Sequence, residues 1–204
     1  MDKQPQNQTR PGPGSLHTEA ELVTRAQQGD REAFGELVLS HYPGVIGVVY
    51  RMCGNAALAE DAAQEAFLRA WLRLPAYQPR NPLRNWLYRI AVNAALDALR
   101  RGPRTVPLDD LPGANLPVGD SHLDPEQRLE QREREALVQQ AVLGLPSASR
   151  AVLVLREYQG LSYREIAETL DIQIGTVMSR LNYARGRLRE RLEPYFQESE
   201  ADDE

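Results

Sequence analysis

The sequence predicts an all-α protein built from two small helical domains. Apolar residues recur at helical spacing through most of the chain, and no stretch shows the sustained alternation of a β-strand. Capping boxes, in which a hydroxyl and a carboxylate three residues later satisfy backbone N–H groups reciprocally, occur at Thr18–Glu21 and Ser162–Glu165. Four prolines and three glycines within residues 102–124 predict a linker between the two domains.

The first domain is predicted over residues 18–101, after an N-terminal segment, residues 1–17, that lacks periodicity and is expected to be disordered. Asp30 is the expected N-cap of the second helix, Pro43 is a possible kink in it, and Gly54-Asn55 is its expected end. The four helices are predicted over residues 18–28, 30–52, 56–74 and 83–101.

The second domain is predicted over residues 125–193, followed by an acidic tail, residues 194–204. Asp124-Pro125 combines an N-cap with a proline at the first helical position. The helix that Ser162 caps meets the next one at a short turn, residues 171–175, which is the pattern of a helix-turn-helix. The four helices are predicted over residues 125–143, 147–158, 163–170 and 176–192. The expected buried side of the helix-turn-helix consists of Ile166, Ala167, Leu170, Ile172, Ile174, Val177, Leu181, Ala184 and Leu188.

Composition excludes several classes of function. Among 204 residues the only cysteine is Cys53, so an intramolecular disulfide framework and a cysteine-rich zinc site are excluded. Three scattered histidines do not suggest a metal cluster. No apolar run approaches the roughly 20 residues that cross a bilayer. We therefore expect a cytoplasmic protein with no membrane insertion, no cofactor and no metal.

The net charge of −5 conceals two basic stretches. Residues 80–104 contain six arginines and one acid, and residues 180–191 contain five arginines and one acid. The acids collect in residues 109–135 and in the tail. This distribution predicts two surfaces that bind anions such as nucleic acid.

Polar side chains recur on one side of three predicted helices. On the last helix, hydroxyl and guanidinium groups at offsets 0, 3, 4, 7 and 11 from Thr176 face the direction expected for contacts with base edges. On the third helix, offsets 0, 3, 4 and 7 from Asp61 form a stripe opposite Phe67 and Trp71. On the fourth helix, the apolar side comprises Leu83, Leu87, Ile90, Ala94 and Ala98, and the polar side comprises Arg84, Asn85, Arg89, Asn93 and Arg100, with Trp86 at the boundary.

These motifs, in this order, resemble the extracytoplasmic-function sigma factors of the sigma-70 family. Residues 161–170 (LSYREIAETL) and 174–181 (IGTVMSRL) resemble region four of that family, although Asp171 stands where the family often has glycine. Residues 59–71 (AEDAAQEAFLRAW) resemble its polymerase-binding helix, and residues 82–101 (PLRNWLYRIAVNAALDALRR) its promoter-melting helix. The resemblance covers about residues 18–101 and 125–192.

The resemblance implies a factor that binds core RNA polymerase and directs promoter-specific initiation, is a monomer when free and is controlled by an anti-sigma factor. The linker would follow the RNA path of the polymerase. The residues that would contact the clamp of the largest polymerase subunit are Asp61, Gln64, Glu65 and Leu68. Those for melting and holding the minus-ten element, single-stranded once opened, are Tyr77, Arg80, Asn81, Arg84, Asn85, Trp86, Arg89, Asn93 and Arg100. Those for reading the duplex minus-thirty-five element are Thr176, Ser179, Arg180, Tyr183, Arg185 and Arg187.

Two alternatives remain open at this point. A helix-turn-helix regulator that binds duplex DNA without stable polymerase binding would share the second domain. An enzyme would use Asp61 and Glu65 as an acid–base pair, but no nucleophile–base set, phosphate loop or metal spacing accompanies them, so we expect no catalytic activity. Substitution of these two carboxylates separates the first alternative from a sigma factor, because only a sigma factor would lose polymerase binding.

Overall fold

The computed structural model describes residues 17–101 and 125–201. The predictions made for residues 1–16, for the linker and for the last three residues lie outside these ranges. Within them the chain forms eight α-helices and one short 3-10 turn, with no strand, which confirms the all-α prediction. The helices form two successive groups that pack against each other, and their buried apolar side chains make one continuous cluster.

The first domain consists of four helices whose ends match the sequence signals. The Thr18 hydroxyl accepts from the Glu21 backbone N–H, and the Glu21 carboxylate accepts from the Thr18 N–H, so the predicted capping box is confirmed. Asp30 caps the second helix, which runs through Pro43 to a left-handed Gly54 with φ 75°. The elements are α1 Glu19–Gln27, α2 Arg31–Cys53, α3 Ala56–Arg73, a 3-10 turn Leu74–Ala76, and α4 Leu83–Arg101.

Small residues allow the helices of the first domain to approach one another closely. Ala63 and Ala70 on α3 and Ala94 on α4 are fully buried, and α3 packs against both α2 and α4. At the edge of this core the Phe34 ring lies 4.9 Å from the Trp71 ring. The core therefore lies along the sides of α3 and α4 that the apolar periodicity indicated, which leaves their polar sides outward.

The second domain contains the predicted helix-turn-helix. Its turn depends on Asp171, which adopts the left-handed conformation (φ 56°, ψ 52°) that aspartate tolerates better than most residues. Ile166, Leu161 and Leu181 are fully buried beneath the turn. The elements are α5 Pro125–Leu143, α6 Ser147–Glu157, α7 Tyr163–Leu170 and α8 Ile174–Ala201.

Helix α8 differs from its prediction at both ends. It begins at Ile174, two residues before Thr176, and the Ile174 side chain is 46 % exposed, so its expected burial was wrong. The reason is that Ile174 lies in the first turn, where α7 no longer covers the helix. The helix also continues through Pro194 into the segment predicted as a separate tail. Proline removes one backbone hydrogen bond, but here it does not end the helix.

A buried arginine joins the two domains. Arg150 on α6 donates to the carbonyl of Met52 near the end of α2 and to the carbonyls of Leu143 and Leu145 between α5 and α6. The last carbonyls of a helix have no partner within the helix, and a cation near them also interacts favourably with the helix dipole. Leu143 itself packs over Gly54, where a Cβ atom would lie 2.3 Å from the leucine Cδ1.

Candidate functional site

The predicted polymerase-binding stripe on α3 is exposed along most of its length. Asp61 and Gln64 face solvent, and Leu68 is 61 % exposed. Glu65 differs from them because its carboxylate lies 2.7 Å from the Arg69 guanidinium. Glu65 is therefore already paired with Arg69, whereas Asp61, Gln64 and Leu68 remain available to a partner.

Sequence reasoning missed one residue of this surface. Leu72 lies one helical turn beyond Leu68, on the same side of α3, and is 77 % exposed. Two exposed leucines one turn apart form an apolar strip that follows the acidic start of the stripe. The four-residue spacing of Leu68 and Leu72 could have indicated this strip. The predicted stripe ended at Leu68 because it was traced from the polar residues that precede it.

Ion pairs link α3 to the end of α4. Arg69 donates to Asp97 on α4 at 2.7 Å as well as to Glu65. Both carboxylates raise the pKa of the Arg69 guanidinium, and the hydrogen bond from Arg69 lowers the pKa of Asp97. The same Asp97 lies 3.6 Å from Arg100, which is otherwise exposed. The single acid of the basic stretch thus fixes α4 to α3.

The polar side of α4 is exposed with one exception. Arg84, Arg89 and Asn93 face outward as predicted. Asn85 is only 3 % exposed, so its predicted position on an open surface was wrong. The reason is that α7, eighty residues further along the chain, lies over it, and periodicity within α4 carries no information about that contact.

The loop before α4 is closed by its own side chains. The Tyr77 hydroxyl donates to the Asn81 carbonyl at 2.7 Å, and the Tyr77 ring lies 5.0 Å from the Trp86 ring. Tyr77 is buried, Trp86 is half-buried, and Arg80 is exposed at the tip. Tyr77 and Trp86 therefore pack against the inner side of the loop, and Arg80 and Asn81 lie on its exposed side.

Three residues of the α4 side contact the helix-turn-helix. Asn85 Nδ2 donates to Glu165 Oε1 at 3.3 Å, and Arg84 Nη2 lies 3.5 Å from the same oxygen. Arg89 Nη2 lies 3.4 Å from Asp171 Oδ2. The N–H and hydroxyl of Ser162 also bind the Glu165 carboxylate and lower its pKa to about 2, so it is charged at neutral pH.

The predicted duplex-reading residues of α8 lie together on its outer side. Tyr183 is 48 % exposed, Ser179 is exposed, and Thr176 and Arg180 are half-exposed. Within the described residues, no side-chain hydrogen bond or ion pair engages Arg180. The stripe therefore presents hydroxyl, guanidinium and phenol groups from the first half of the helix, opposite buried Val177 and Leu181.

Two arginines further along α8 already hold carboxylates. Arg185 Nη2 donates to Glu157 Oε1 at 2.8 Å, and Arg187 Nη1 donates to Glu190 Oε2 at 2.7 Å. Both arginine side chains remain about half exposed. Surface pairs of this kind are weak, so phosphates can compete for these guanidinium groups.

Among residues 17–101 and 125–201, no group of three metal-binding side chains occurs and no helix is long and apolar enough to cross a membrane. Cys53 is partly buried, and burial raises the pKa of its thiol to about 11. A thiol of that pKa holds almost no thiolate at neutral pH, and the thiolate is the reactive form. Cys53 therefore acts as a small apolar residue packed against the core.

Comparison with known proteins gives matches over both domains. The family model for sigma-70 region 2 matches residues 37–105, and the model for sigma-70 region 4 matches residues 135–188. The chain is 37 % identical over 185 residues to the RNA polymerase sigma-H factor of Pseudomonas aeruginosa, covering 88 % of this chain and 96 % of that one. It is 35 % identical to the ECF sigma factor SigW of Bacillus subtilis, covering 83 % and 94 %.

The fold is also similar to that of a solved structure. The structure of CnrH in complex with the cytosolic domain of CnrY matches with a TM-score of 0.62 and 27 % identity, covering 85 % of this chain and 96 % of CnrH. Sigma factors are initiation factors without catalytic activity, so the enzyme alternative is excluded, and the matches to both regions exclude a simple helix-turn-helix regulator. The chain belongs to the extracytoplasmic-function RNA polymerase sigma factors of the sigma-70 family, which bind core polymerase and direct promoter-specific initiation.

Proposed function

We propose that three helices divide the work of this sigma factor: α3 docks on the polymerase clamp, α4 opens and holds the minus-ten element, and α8 reads the minus-thirty-five element. The observation that carries the proposal is the outward stripe of Thr176, Arg180 and Tyr183 on the second helix of a helix-turn-helix. That helix enters the major groove in proteins of this motif, with the residues of its N-terminal half at the base edges.

The α8 side chains suit both parts of duplex recognition. Arg180 has no partner among the described residues, and its forked guanidinium can donate two hydrogen bonds to the edge of one guanine. Thr176 and Ser179 supply short hydroxyl contacts to base edges, and Tyr183 lies a further turn along the helix. Arg185 and Arg187 exchange their weak carboxylate partners for phosphates, which positions the helix without reading sequence.

The α4 side chains suit an opened strand. Arg84, Arg89 and Arg100 pair with phosphates, and the exposed Asn93 amide can bond base edges, whereas Asn85 is covered by α7. Trp86, which packs against Tyr77, is only half-buried, so part of its ring is available for stacking where a base pair opens. The outward position of Arg80 and Asn81 supports the role of this loop in holding a base that has left the helix stack.

The α3 surface suits a stable protein partner. Asp61 and Gln64 give polar contacts, and Leu68 with Leu72 gives an apolar strip of the kind that is buried at interface centres. Membership of this family also leads us to expect a protein partner, an anti-sigma factor, that holds the chain inactive until a signal arrives, and the solved CnrH structure is itself a complex with a second protein, the cytosolic domain of CnrY. Polymerase and promoter both lie in the bacterial cytoplasm, and we place the action of this factor there.

Run-off transcription with core polymerase on a pool of promoters tests the assignment of α8. Transcripts should appear only when the protein is added. Arg180→Ala should reduce specific transcription by about 5- to 150-fold, because one bidentate base contact contributes about 1–3 kcal/mol. Arg132→Ala, which removes an exposed arginine from α5, is the matched control and should leave transcription unchanged. Equal activity of the two variants would contradict the assignment.

Polymerase binding tests the assignment of α3. The double variant Leu68→Ala/Leu72→Ala should bind core polymerase at least tenfold more weakly, since a leucine side chain buried at an interface contributes about 1.5–3 kcal/mol. Leu129→Ala on α5 removes a leucine of similar exposure, 59 %, and should bind like the wild type. Unchanged affinity of the double variant would place the polymerase contact elsewhere on the chain.

A further inference from the structure

The 3-10 turn Leu74–Ala76, which precedes the loop that we assign to the minus-ten element, is held by a side chain of α1. Gln27 Nε2 donates to the Leu74 carbonyl at 3.1 Å and to the Tyr77 carbonyl at 2.8 Å. These partners lie 47 and 50 residues further along the chain. A single amide therefore bridges the start of the turn and the residue that follows it.

Tyr77 carries this contact on into the loop. Its backbone N–H donates to the Leu74 carbonyl at 3.0 Å, and its hydroxyl donates to the Asn81 carbonyl at 2.7 Å. Its ring, which packs 5.0 Å from the Trp86 ring, is buried. The Leu74 carbonyl thus has a second donor, whereas within the described residues no donor besides Gln27 contacts the Tyr77 carbonyl. The position of Tyr77 therefore depends on the Gln27 amide.

The end of α1 is itself fixed, so the Gln27 side chain extends from an ordered backbone. Its neighbour Ala26 is 2 % exposed, and Arg25 Nη2 lies 2.7 Å from the carboxylate of Asp30, the N-cap of α2. Packing and hydrogen bonds of this kind are what hold a supporting side chain precisely. The next residue, Gln28, is exposed, and no side-chain hydrogen bond engages it in the described chain. Of the two adjacent glutamines, only Gln27 reaches the turn.

A loop that receives an unstacked base has to hold its shape before the base arrives. Extruding a base costs unstacking energy, and a pocket recovers this energy only if its polar and aromatic groups are already in position. The two groups that we assign to this pocket, Asn81 and Trp86, both contact Tyr77. A shift of Tyr77 would therefore displace both of them.

We infer that Gln27 is a positioning residue for the minus-ten element. Its amide fixes the Leu74 and Tyr77 carbonyls, and Tyr77 in turn sets the positions of Asn81 and Trp86. This inference rests on the proposed role of the loop and deepens it, because it places part of the minus-ten specificity in α1, a helix with no residue assigned to DNA.

Base preference at single promoter positions provides the test. Each full-length variant, in limiting amount with core polymerase, transcribes two promoters in one tube. One is a promoter that the wild type uses in the run-off pool, and the other is a copy changed at a single base pair of the minus-ten or minus-thirty-five element. The ratio of the two transcripts does not depend on the fraction of folded factor, so a loss of stability alone leaves it unchanged.

Gln27→Met keeps an unbranched side chain of similar length but supplies no donor. It should reduce the base preference at one or more minus-ten positions by about 2- to 12-fold, the factor that one hydrogen bond contributes. The preference at the minus-thirty-five element, which α8 reads, should stay the same. Gln27→Lys retains N–H donors at a similar reach and should keep most of the minus-ten preference. The matched control, Gln28→Met, should behave like the wild type.

An unchanged minus-ten preference in Gln27→Met would overturn the inference, and so would an equal loss of preference at both elements. A double-mutant cycle with Tyr77→Phe, which removes the hydroxyl that closes the loop, gives a second measurement. The combined loss in Gln27→Met/Tyr77→Phe should be smaller than the sum of the two single losses, because both changes act on the same ring. Full additivity would show that Gln27 does not act through Tyr77.

Failure of the proposed function would look different. If wild-type transcription is insensitive to every single-base change in the minus-ten element, the assignment of the loop and α4 fails whatever the variants show. If the wild type discriminates between the promoters and Gln27→Met discriminates equally well, only the positioning role of Gln27 is refuted.

Discussion

Replacing Arg150 with methionine is expected to destabilise the chain and to uncouple its two domains. The guanidinium is 8 % exposed and donates to three carbonyls, one of them from Met52 in the first domain and two from Leu143 and Leu145 in the second. Methionine fills part of the volume but supplies no donor, so three carbonyls lose their partner.

The magnitude follows from the number of acceptors. A hydrogen bond from a charged donor contributes about 1.5–3 kcal/mol, and water reaches some of the vacated carbonyls at these helix ends. We expect a loss of about 3–5 kcal/mol, which is a large part of the about 5–15 kcal/mol typical of a folded domain. Because the contact spans both domains, one cooperative transition should become two.

Urea titration followed by helical circular dichroism measures this loss. Arg150→Met should shift the first transition to lower urea, and Arg150→Lys should fall between it and the wild type, because lysine retains the charge without the forked donors. The control is Arg180→Met, an arginine of α8 without a partner among the described residues, which should change the free energy of unfolding by less than about 0.5 kcal/mol. A single unshifted transition for Arg150→Met would refute the reasoning.

Three further substitutions test local features. Because the pKa of Glu165 is lowered to about 2 in the folded protein, its carboxylate contributes fully to stability above about pH 4.5, and this contribution is lost as the pH falls toward 2. Glu165→Gln should therefore be less stable than wild type by about 1 kcal/mol at pH 7 and equally stable near pH 2. Urea midpoints at both pH values measure the difference. Gly54→Ala should destabilise by about 1–3 kcal/mol, because φ is +75° and the new Cβ would press on Leu143. Gly186→Ala, with nothing within 4 Å of its Cβ and a position inside α8, should instead stabilise by up to about 1 kcal/mol; thermal melts of the pair that moved in the same direction would contradict both expectations.

The local features of this fold are accessible from sequence because neighbouring residues determine them. The Thr18 and Ser162 capping boxes and the left-handed Gly54 each depend on residues a few positions apart, and the structure confirms all three. The stripe on α8 was predicted for the same reason, since a helix fixes which of its residues share a side. Its role in reading duplex DNA stays a prediction.

The features that sequence reasoning missed depend on contacts between distant residues. Asn85 is buried by a helix of the other domain, so the pattern of α4 alone placed it wrongly on an open surface. Arg150 gave one signal, a charged residue directly before a run of apolar residues in α6, but nothing local indicates that its partners include Met52. The last helix was predicted to end at residue 192, but α8 continues through Pro194 to Ala201.

Asp171 illustrates how one position can serve two demands that favour different amino acids. Glycine, the residue often found at this turn in the family, adopts the left-handed backbone without strain. Aspartate adopts it at a conformational cost of about 1 kcal/mol. Glycine, however, would remove the carboxylate that meets Arg89. Glycine at this position would therefore relax the turn within the second domain and at the same time remove an ion pair to the first, so Asp171 favours contact between the domains at the expense of the turn.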